Sequence, residues 1–152
     1  MAIAYLSLGT NIGNKRRNMI TAAALLAERV GDVLALSGFY ETEPWGFASE
    51  NLFLNAAVKL KTSFSPSELL LATQQIEKEL GRTEKSNGAY HDRIIDIDIL
   101  LYDDEILQTA ELTLPHPLMH ERKFVMDPLS EIAPFVVHPV LKERIIDLKE
   151  RL

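Results

Sequence analysis

The sequence predicts an α+β domain with a mainly antiparallel sheet. Its 152 residues, 47% of them apolar, suit one compact domain, which we place over residues 1–152. Segments with strand and helix periodicity follow one another in the order β-α-β-β-α-β. No repeat, low-complexity segment or long linker interrupts them. This order is typical of the ferredoxin-like two-layer sandwich, in which helices pack on one sheet.

The first half of the chain is predicted to supply three strands and one helix. Apolar residues alternate with polar ones or cluster in β-branched runs where we place strands, and they recur with helical spacing in between. The predicted strands are Ile3 to Leu8, Val33 to Thr42 and Phe53 to Thr62, the helix is Lys15 to Val30, and Glu43 to Asn51 is a polar loop.

A second helix has clear start and stop signals. Ser65 is suited to cap it, Pro66 suits its first position, and Glu68 completes the pattern of a capping box. Gly81 is a plausible end, and a long polar loop follows from Arg82 to Asp92.

The last third of the chain contains the strongest predicted strand, Arg93 to Tyr102, which is rich in β-branched residues. Shorter strands are predicted near Ile106 and over Leu112 to Leu114. The tail is predicted to contain turns with proline and then an amphipathic helix that carries Leu141, Ile145, Leu148 and Leu152.

Composition limits the classes of function. The formal net charge of −6 argues against a general nucleic-acid binder, which needs a surplus of Lys and Arg. No stretch approaches the ~20 apolar residues of a membrane helix, and the first residues resemble a strand rather than a signal peptide. There is no cysteine, which excludes disulfides and thiolate zinc sites. We therefore expect a cytoplasmic protein that binds neither nucleic acid nor membranes.

Two aspartates on the predicted strand are candidate metal ligands. Because side chains alternate along a strand, Asp96 and Asp98 project from one side, and Ile95, Ile97, Ile99 and Leu101 project from the other. Two residues along a strand span roughly 6.5 Å, so two carboxylates can hold one cation or a close pair of cations. Magnesium prefers such hard oxygen ligands together with substrate phosphates. The competing interpretation is an ordinary solvated face of the strand.

Two further motifs resemble metal or phosphate sites but do not fit them. The run from Gly9 to Lys15 has too few residues between its glycines for a P-loop, and Arg16 stands where Ser or Thr is required. His116 and His120 have the spacing of helical zinc ligands. However, Pro115 and Pro117 flank the first of them, which makes a regular helix there improbable.

Six motifs in the same order resemble the 6-hydroxymethyl-7,8-dihydropterin pyrophosphokinase family of folate biosynthesis, across nearly the whole chain. They are L-G-T-N from Leu8, Y-E-T-E-P-W-G from Tyr40, F-L-N-A-A-V from Phe53, Q-Q-I-E from Gln74 with G-R-T-E-K from Gly81, R-I-I-D-I-D-I-L-L from Arg93, and L-T-L-P-H-P from Leu112.

The resemblance implies a function and a set of site residues. It implies an ATP-dependent pyrophosphokinase, a monomer of the same α+β fold, that transfers pyrophosphate to the pterin hydroxymethyl group and releases AMP. It implies two Mg²⁺ ions on Asp96 and Asp98, with Arg82 and Arg93 as catalytic loop cations. The implied pterin site is Thr42, Pro44, Trp45, Phe53, Asn55 and Phe124, and the implied nucleotide site is Gln74, Glu77, Lys85, Ile99, Leu112, Thr113, His116 and Arg122.

Several positions depart from the family pattern. Tyr90, His91 and Asp92 replace its usual residues before Arg93, and Glu84 and Glu111 stand where basic residues are common. We therefore hypothesise that Lys85, Arg93 and Arg122 carry more of the phosphate contact here.

Two other hypotheses remain open at this point. One is a related metal-dependent nucleotide transferase that acts on another heterocycle, which identification of the substrate and of AMP or ADP as product would distinguish. The other is a ferredoxin-like binding module without catalysis, which would show no magnesium-dependent binding of an ATP analogue.

Overall fold

A five-stranded antiparallel sheet organises the part of the chain that the structure describes, which is residues 1–43, 52–81 and 94–152 of a computed structural model. Two further short strands pair separately. The elements in chain order are β1 (Ala2–Thr10), α1 (Lys15–Arg29), β2 (Asp32–Leu36), β3 (Tyr40–Thr42), β4 (Phe53–Thr62), α2 (Pro66–Glu79), β5 (Asp96–Tyr102), β6 (Leu107–Gln108), β7 (Thr113–Leu114), a 3₁₀ turn (Met119–Glu121), α3 (Lys123–Ile132) and α4 (Ile145–Glu150).

The strand order confirms the predicted α+β fold of ferredoxin-like type. The order is β2-β4-β1-β5, all neighbours are antiparallel, and β3 also pairs with β4. The two strands that flank α1, β1 and β2, are separated in the sheet by β4. The two that flank α2, β4 and β5, are separated by β1, as is typical of the β-α-β-β-α-β order. In the described part of the chain, no helix is both long and apolar enough to span a membrane.

Helices α1 and α2 cover one face of the sheet and enclose the larger core. Leu6 and Leu8 of β1 are fully buried there, together with Leu26 of α1 and Ile76 of α2. The predicted capping box of α2 is present, because the Ser65 side chain accepts from the Glu68 backbone and the Glu68 side chain accepts from the Ser65 backbone.

A β-bulge changes the predicted alternation near the end of β5. Tyr5 pairs with Leu101 but Leu6 pairs with Ile99, so Leu100 is an extra residue. Ile95, Ile97 and Ile99 lie in the core beneath α1 and α2, as predicted. The prediction for Leu101 is wrong, because the bulge turns its side chain to the opposite face, where Leu100 also lies.

The predicted strand from Val33 to Thr42 is two strands. At Ser37 the side-chain hydroxyl accepts from the Ala57 N–H at 2.8 Å, in place of a backbone carbonyl. Ser37 also donates its own N–H to the Ala57 carbonyl at 2.9 Å. Regular pairing therefore stops at this residue and resumes at Tyr40.

The C-terminal third contains a helix that the sequence did not reveal. Helix α3 contains a buried proline, Pro128, and a proline inside a helix masks the helical pattern of the sequence. Together with α4, helix α3 packs on the second face of the sheet. The predicted tail helix is shorter than expected. Leu141 lies in a turn, where the ring of His138 accepts its N–H at 3.1 Å, and Leu152 lies beyond the end of α4.

Candidate active site

An apolar pocket lies over the centre of the sheet, and its floor is a set of residues that pair across three strands. Asp98 pairs with Ser7, and Asp96 pairs with Gly9, which pairs in turn with Asn55 of β4. Paired residues share a face of a sheet, so the two carboxylates and the Asn55 amide project to the same side. This side is the one that α3 and α4 partly cover.

The pocket has an empty volume of ≈ 480 Å³, its open mouth included. It joins the floor to walls from β3, β4 and α3, and its lining is Ser7, Gly9, Thr42, Glu43, Phe53, Asn55, Asp96, Asp98, Arg122 and Phe124.

The two carboxylates are half-buried and pair with a serine and a glycine on the neighbouring strand. Their partners on β1, Ser7 and Gly9, carry no charge that could compensate them. Like charges held close together on a strand are costly, and a bound cation would relieve that cost. No cluster of three or more acidic or histidine side chains that could hold a metal occurs in residues 1–43, 52–81 and 94–152. Two carboxylates leave the remaining ligand positions to substrate and water, which fits Mg²⁺.

A cation and an aromatic ring enter the pocket from the start of α3. Arg122 is 6% exposed, and its guanidinium carbon lies 5.7 Å from the centre of the Phe124 ring. Such a stacked arginine is held with its donors in a defined plane. The pocket therefore presents a fixed positive group beside two negative ones.

The opposite wall is organised by the Asn55 amide. Its nitrogen donates to Thr42 Oγ1 at 2.7 Å and to the Tyr40 carbonyl at 3.4 Å. A Cβ built on Gly9 would lie 3.4 Å from Asn55 Oδ1 and 3.7 Å from the Phe53 ring. Glycine at this position therefore keeps the space between the carboxylates and Phe53 open.

His116 lies next to these groups and is held neutral. Burial and, to a lesser extent, the charge of Arg122 lower its pKa to about 4, although the charge of Asp96 acts in the opposite direction. Its Nδ1 accepts from the Leu118 N–H at 3.3 Å, which leaves the proton of the neutral ring on Nε2. Its backbone N–H donates to the Leu100 carbonyl at 2.9 Å and ties this segment to β5.

A family model described as 7,8-dihydro-6-hydroxymethylpterin-pyrophosphokinase (HPPK) matches residues 5–134 of this chain. The chain belongs to the HPPK family. A relative in Porphyromonas gingivalis, named 2-amino-4-hydroxy-6-hydroxymethyldihydropteridine pyrophosphokinase, is 55% identical over 141 residues, which cover 91% of this chain and 95% of the relative. A relative of the same name in Aquifex aeolicus is 42% identical over 149 residues, 98% of this chain and 91% of its own.

Solved HPPK-DHPS structures share the fold at low sequence identity. The wild-type Plasmodium falciparum HPPK-DHPS with pteroate has a TM-score of 0.79 at 18% identity, and an HPPK-DHPS in complex with substrates has a TM-score of 0.75 at 17% identity. The matches cover 99% of this chain but only 44% and 43% of those chains. This chain thus corresponds to less than half of each.

The structure places the residues predicted for this HPPK chain in two groups. Those that line the pocket are Thr42, Phe53, Asn55, Asp96, Asp98, Arg122 and Phe124. The second group does not line the pocket and lies on α2, on β5, and in or next to β7. It comprises Gln74, Glu77, Ile99, Leu112, Thr113 and His116. The remaining predicted positions, Pro44, Trp45, Arg82, Lys85 and Arg93, lie outside the described residues.

Glu77 is placed differently from its neighbour Gln74. Gln74 is exposed on α2, whereas Glu77 is 5% exposed and its Oε2 accepts from the Ile97 N–H at 2.9 Å. This N–H lies between Asp96 and Asp98 on the backbone of β5. The observed contact of Glu77 is therefore with the strand that carries the carboxylates.

The sequence did not single out Ser7, Gly9 or Glu43 as pocket residues. Ser7 and Gly9 alternate with the buried Leu6 and Leu8, so small residues on one face of β1 were the available signal. That signal becomes interpretable only when the neighbouring strands are known, because the pocket floor is formed by three strands together.

Proposed function

We propose that this chain catalyses the Mg²⁺-dependent transfer of pyrophosphate from ATP to the hydroxymethyl group of 6-hydroxymethyl-7,8-dihydropterin, with release of AMP. The relatives at 55% and 42% identity carry the name of this pyrophosphokinase. The observation that carries the proposal is one pocket that combines two half-buried carboxylates and a buried arginine with the Asn55 amide and two phenylalanine rings.

The pterin fits between the two aromatic walls of the pocket. Phe53 of β4 and Phe124 of α3 both line it, and flat heterocycles stack well on such rings. Because the Asn55 nitrogen already donates to Thr42 and Tyr40, its carbonyl oxygen is the atom suited to accept from the pterin. Pro44 and Trp45 are assigned to the same site by the family resemblance.

Asp96 and Asp98 are the residues that would hold the metal, and we infer two ions there. Metal held by Asp96 and Asp98 would neutralise charge on the substrate phosphates and lower the pKa of the attacking hydroxyl. Two carboxylates on one strand, opposite Ser7 and Gly9, leave room for phosphate oxygens as the other ligands.

The nucleotide would extend from the carboxylates toward the edge of β5. Arg122 supplies positive charge against the phosphates, and the Nε2–H of neutral His116 can donate to a phosphate oxygen. Gln74, Glu77, Lys85, Ile99, Leu112 and Thr113 are proposed to bind the rest of ATP, with Arg82 and Arg93 closing on the reacting groups. Positioning and charge neutralisation dominate such phosphate transfers.

Mass spectrometry of the products from ATP, Mg²⁺ and hydroxymethyl-dihydropterin tests this function. We expect pterin pyrophosphate and AMP in equal amounts, and their loss in the Asp98→Ala variant. Formation of ADP, or consumption of ATP without change of the pterin, would contradict the proposal. Calorimetry with a non-hydrolysable ATP analogue, with and without Mg²⁺, tests the metal requirement separately.

We also infer a cytoplasmic monomer that acts on small molecules and binds no nucleic acid. The monomeric state is what the family resemblance implies. The absence of cysteine is compatible with a reducing compartment, and the net charge is −6. Light scattering after size exclusion should give the mass of one chain.

A further inference from the structure

A carboxylate on α3 connects the two walls of the pocket outside the binding surface itself. Glu131 accepts from the Gly38 N–H at 3.0 and 3.2 Å through its two oxygens, and from the Tyr40 hydroxyl at 2.6 Å. The hydrogen bond to Glu131 is the main reason that the pKa of Tyr40 is raised to about 12. One side chain therefore holds both ends of the segment that leads into β3.

That segment ends at residues of the proposed pterin site. Tyr40 pairs with Asn55 and Thr42 pairs with Phe53, and the Asn55 amide donates to both the Tyr40 carbonyl and Thr42. The orientation of Asn55 therefore depends on where β3 lies. Only two hydrogen bonds separate the Glu131 carboxylate from the Asn55 amide.

Strand β3 has few other restraints in the described part of the chain. It is three residues long and pairs with β4 along one side. Upstream, Ser37 is bound to Ala57 of β4, but Gly38 donates its N–H across the sheet face to Glu131. The other wall is the helix that carries Glu131, since Phe124 lies on the first turn of α3.

We propose that Glu131 is a positioning residue that sets the spacing between the β3 and α3 walls, and thereby the affinity for the pterin. This inference rests on the proposed function. Glu131 itself is not among the lining residues. It acts through Tyr40 and Gly38 on one wall and through its own helix on the other.

Steady-state kinetics of the full chain test the inference with Glu131→Ala and Tyr40→Phe. We expect Glu131→Ala to raise KM for the pterin about tenfold while KM for ATP changes less than about twofold, because the lost partners, Gly38 and Tyr40, lead into the proposed pterin site and not into the nucleotide site. Tyr40→Phe keeps the Gly38 contact and should have a smaller effect. The double variant should show no further loss, because both changes remove the same hydrogen bond.

Glu28→Ala is the matched control, since it removes the same side chain from the exposed surface of α1. If Glu131→Ala lowers the melting temperature but leaves both KM values at wild-type levels, its role is only structural and the inference is wrong. Should Glu131→Ala not fold, Glu131→Gln and Tyr40→Phe decide by the same readout. A wild-type protein that neither binds nor converts the pterin would overturn the proposed function as well, whereas an active wild type with unaffected variants overturns this inference alone.

Discussion

At the scale of single residues, the candidate site combines two negative charges and one positive charge in one pocket. Asp96 and Asp98 on β5 pair with Gly9 and Ser7 on β1, respectively. The buried Arg122 enters the same pocket from the start of α3. Such an arrangement favours ligand binding over stability, because a bound cation would reduce the repulsion between the two carboxylates.

Removal of one carboxylate should therefore separate activity from stability. We expect Asp98→Ala to lower Mg²⁺-dependent turnover at least about 100-fold, because a metal ligand is lost. Its melting temperature without metal should equal or exceed that of the wild type, because repulsion is removed. Asp104→Ala, in the exposed turn after β5, is the control and should retain activity. A metal-free Asp98→Ala protein that melts well below the wild type would contradict this charge balance.

The lowered pKa of His116 predicts a dependence of stability on pH. Between its folded pKa of about 4 and its ordinary value of 6.5, the unfolded chain takes up a proton that the folded chain excludes. The free energy of unfolding should fall by up to about 3 kcal/mol as the pH decreases through this window. Above pH 7 the group contributes no pH dependence.

Denaturant unfolding of the wild type and His116→Asn from pH 7 to pH 4 measures this contribution. Asparagine retains an oxygen that can accept from Leu118, but it does not titrate. The wild type should therefore lose more stability on acidification than the variant. Parallel losses in the two proteins would show that His116 takes up its proton equally in both states.

At the scale of elements, α2 supports the strand that carries the carboxylates. Strand β5 lies at the edge of the described sheet, where backbone groups lack a neighbouring strand. Glu77 supplies an acceptor for the Ile97 N–H in a buried position. A side chain of the helix therefore accepts the backbone hydrogen bond that a neighbouring strand would otherwise accept, at the residue between the two aspartates.

Loss of this acceptor should destabilise β5 locally. We expect Glu77→Ala to lower the free energy of unfolding by about 1–3 kcal/mol, because the Ile97 N–H would be left without its acceptor. The Ile97 amide should also exchange its hydrogen faster. Glu77→Gln retains an oxygen acceptor and serves as the matched variant, with a smaller effect. Unchanged exchange of the Ile97 amide in Glu77→Ala would show that the bond does not support the strand.

At the scale of the whole molecule, the two faces of one sheet have different roles. The face beneath α1 and α2 is closed by the larger apolar core, whereas the face beneath α3 and α4 is packed at one end and forms the pocket at the other. Strand β1 contributes to both faces. Its residues Leu6 and Leu8 pack in the larger core, directly beneath the pocket floor that Ser7 and Gly9 help to form on the other face.

A cavity created in the core beneath the pocket floor should therefore destabilise the whole fold. Leu6→Ala removes a fully buried side chain from the central strand and should lower the free energy of unfolding by about 2–5 kcal/mol in one cooperative transition. Leu71→Ala, at a position of α2 that is 68% exposed, is the control and should change it by less than about 0.5 kcal/mol. Separate transitions of the two faces in Leu6→Ala would show that β1 does not couple them.

Short-range patterns in the sequence determined the elements and the carboxylate pair. Strand β4 has the predicted bounds, the capping box of α2 forms within four residues, and alternation placed Asp96 and Asp98 on one side of β5. The motif order also identified the family. These features depend on contacts between near neighbours, which a linear pattern can express.

Other features were decided only by tertiary structure. The extra residue Leu100 is defined by the pairing of β5 with β1, and helix α3 forms despite Pro128 because it packs against the sheet. The second wall of the pocket, with Phe124, and the contacts of Glu131 with Gly38 and Tyr40 join residues about 90 positions apart. The sequence by itself thus determined which strand bears the carboxylates, and the tertiary structure decided what faces them, because long-range packing has no local period.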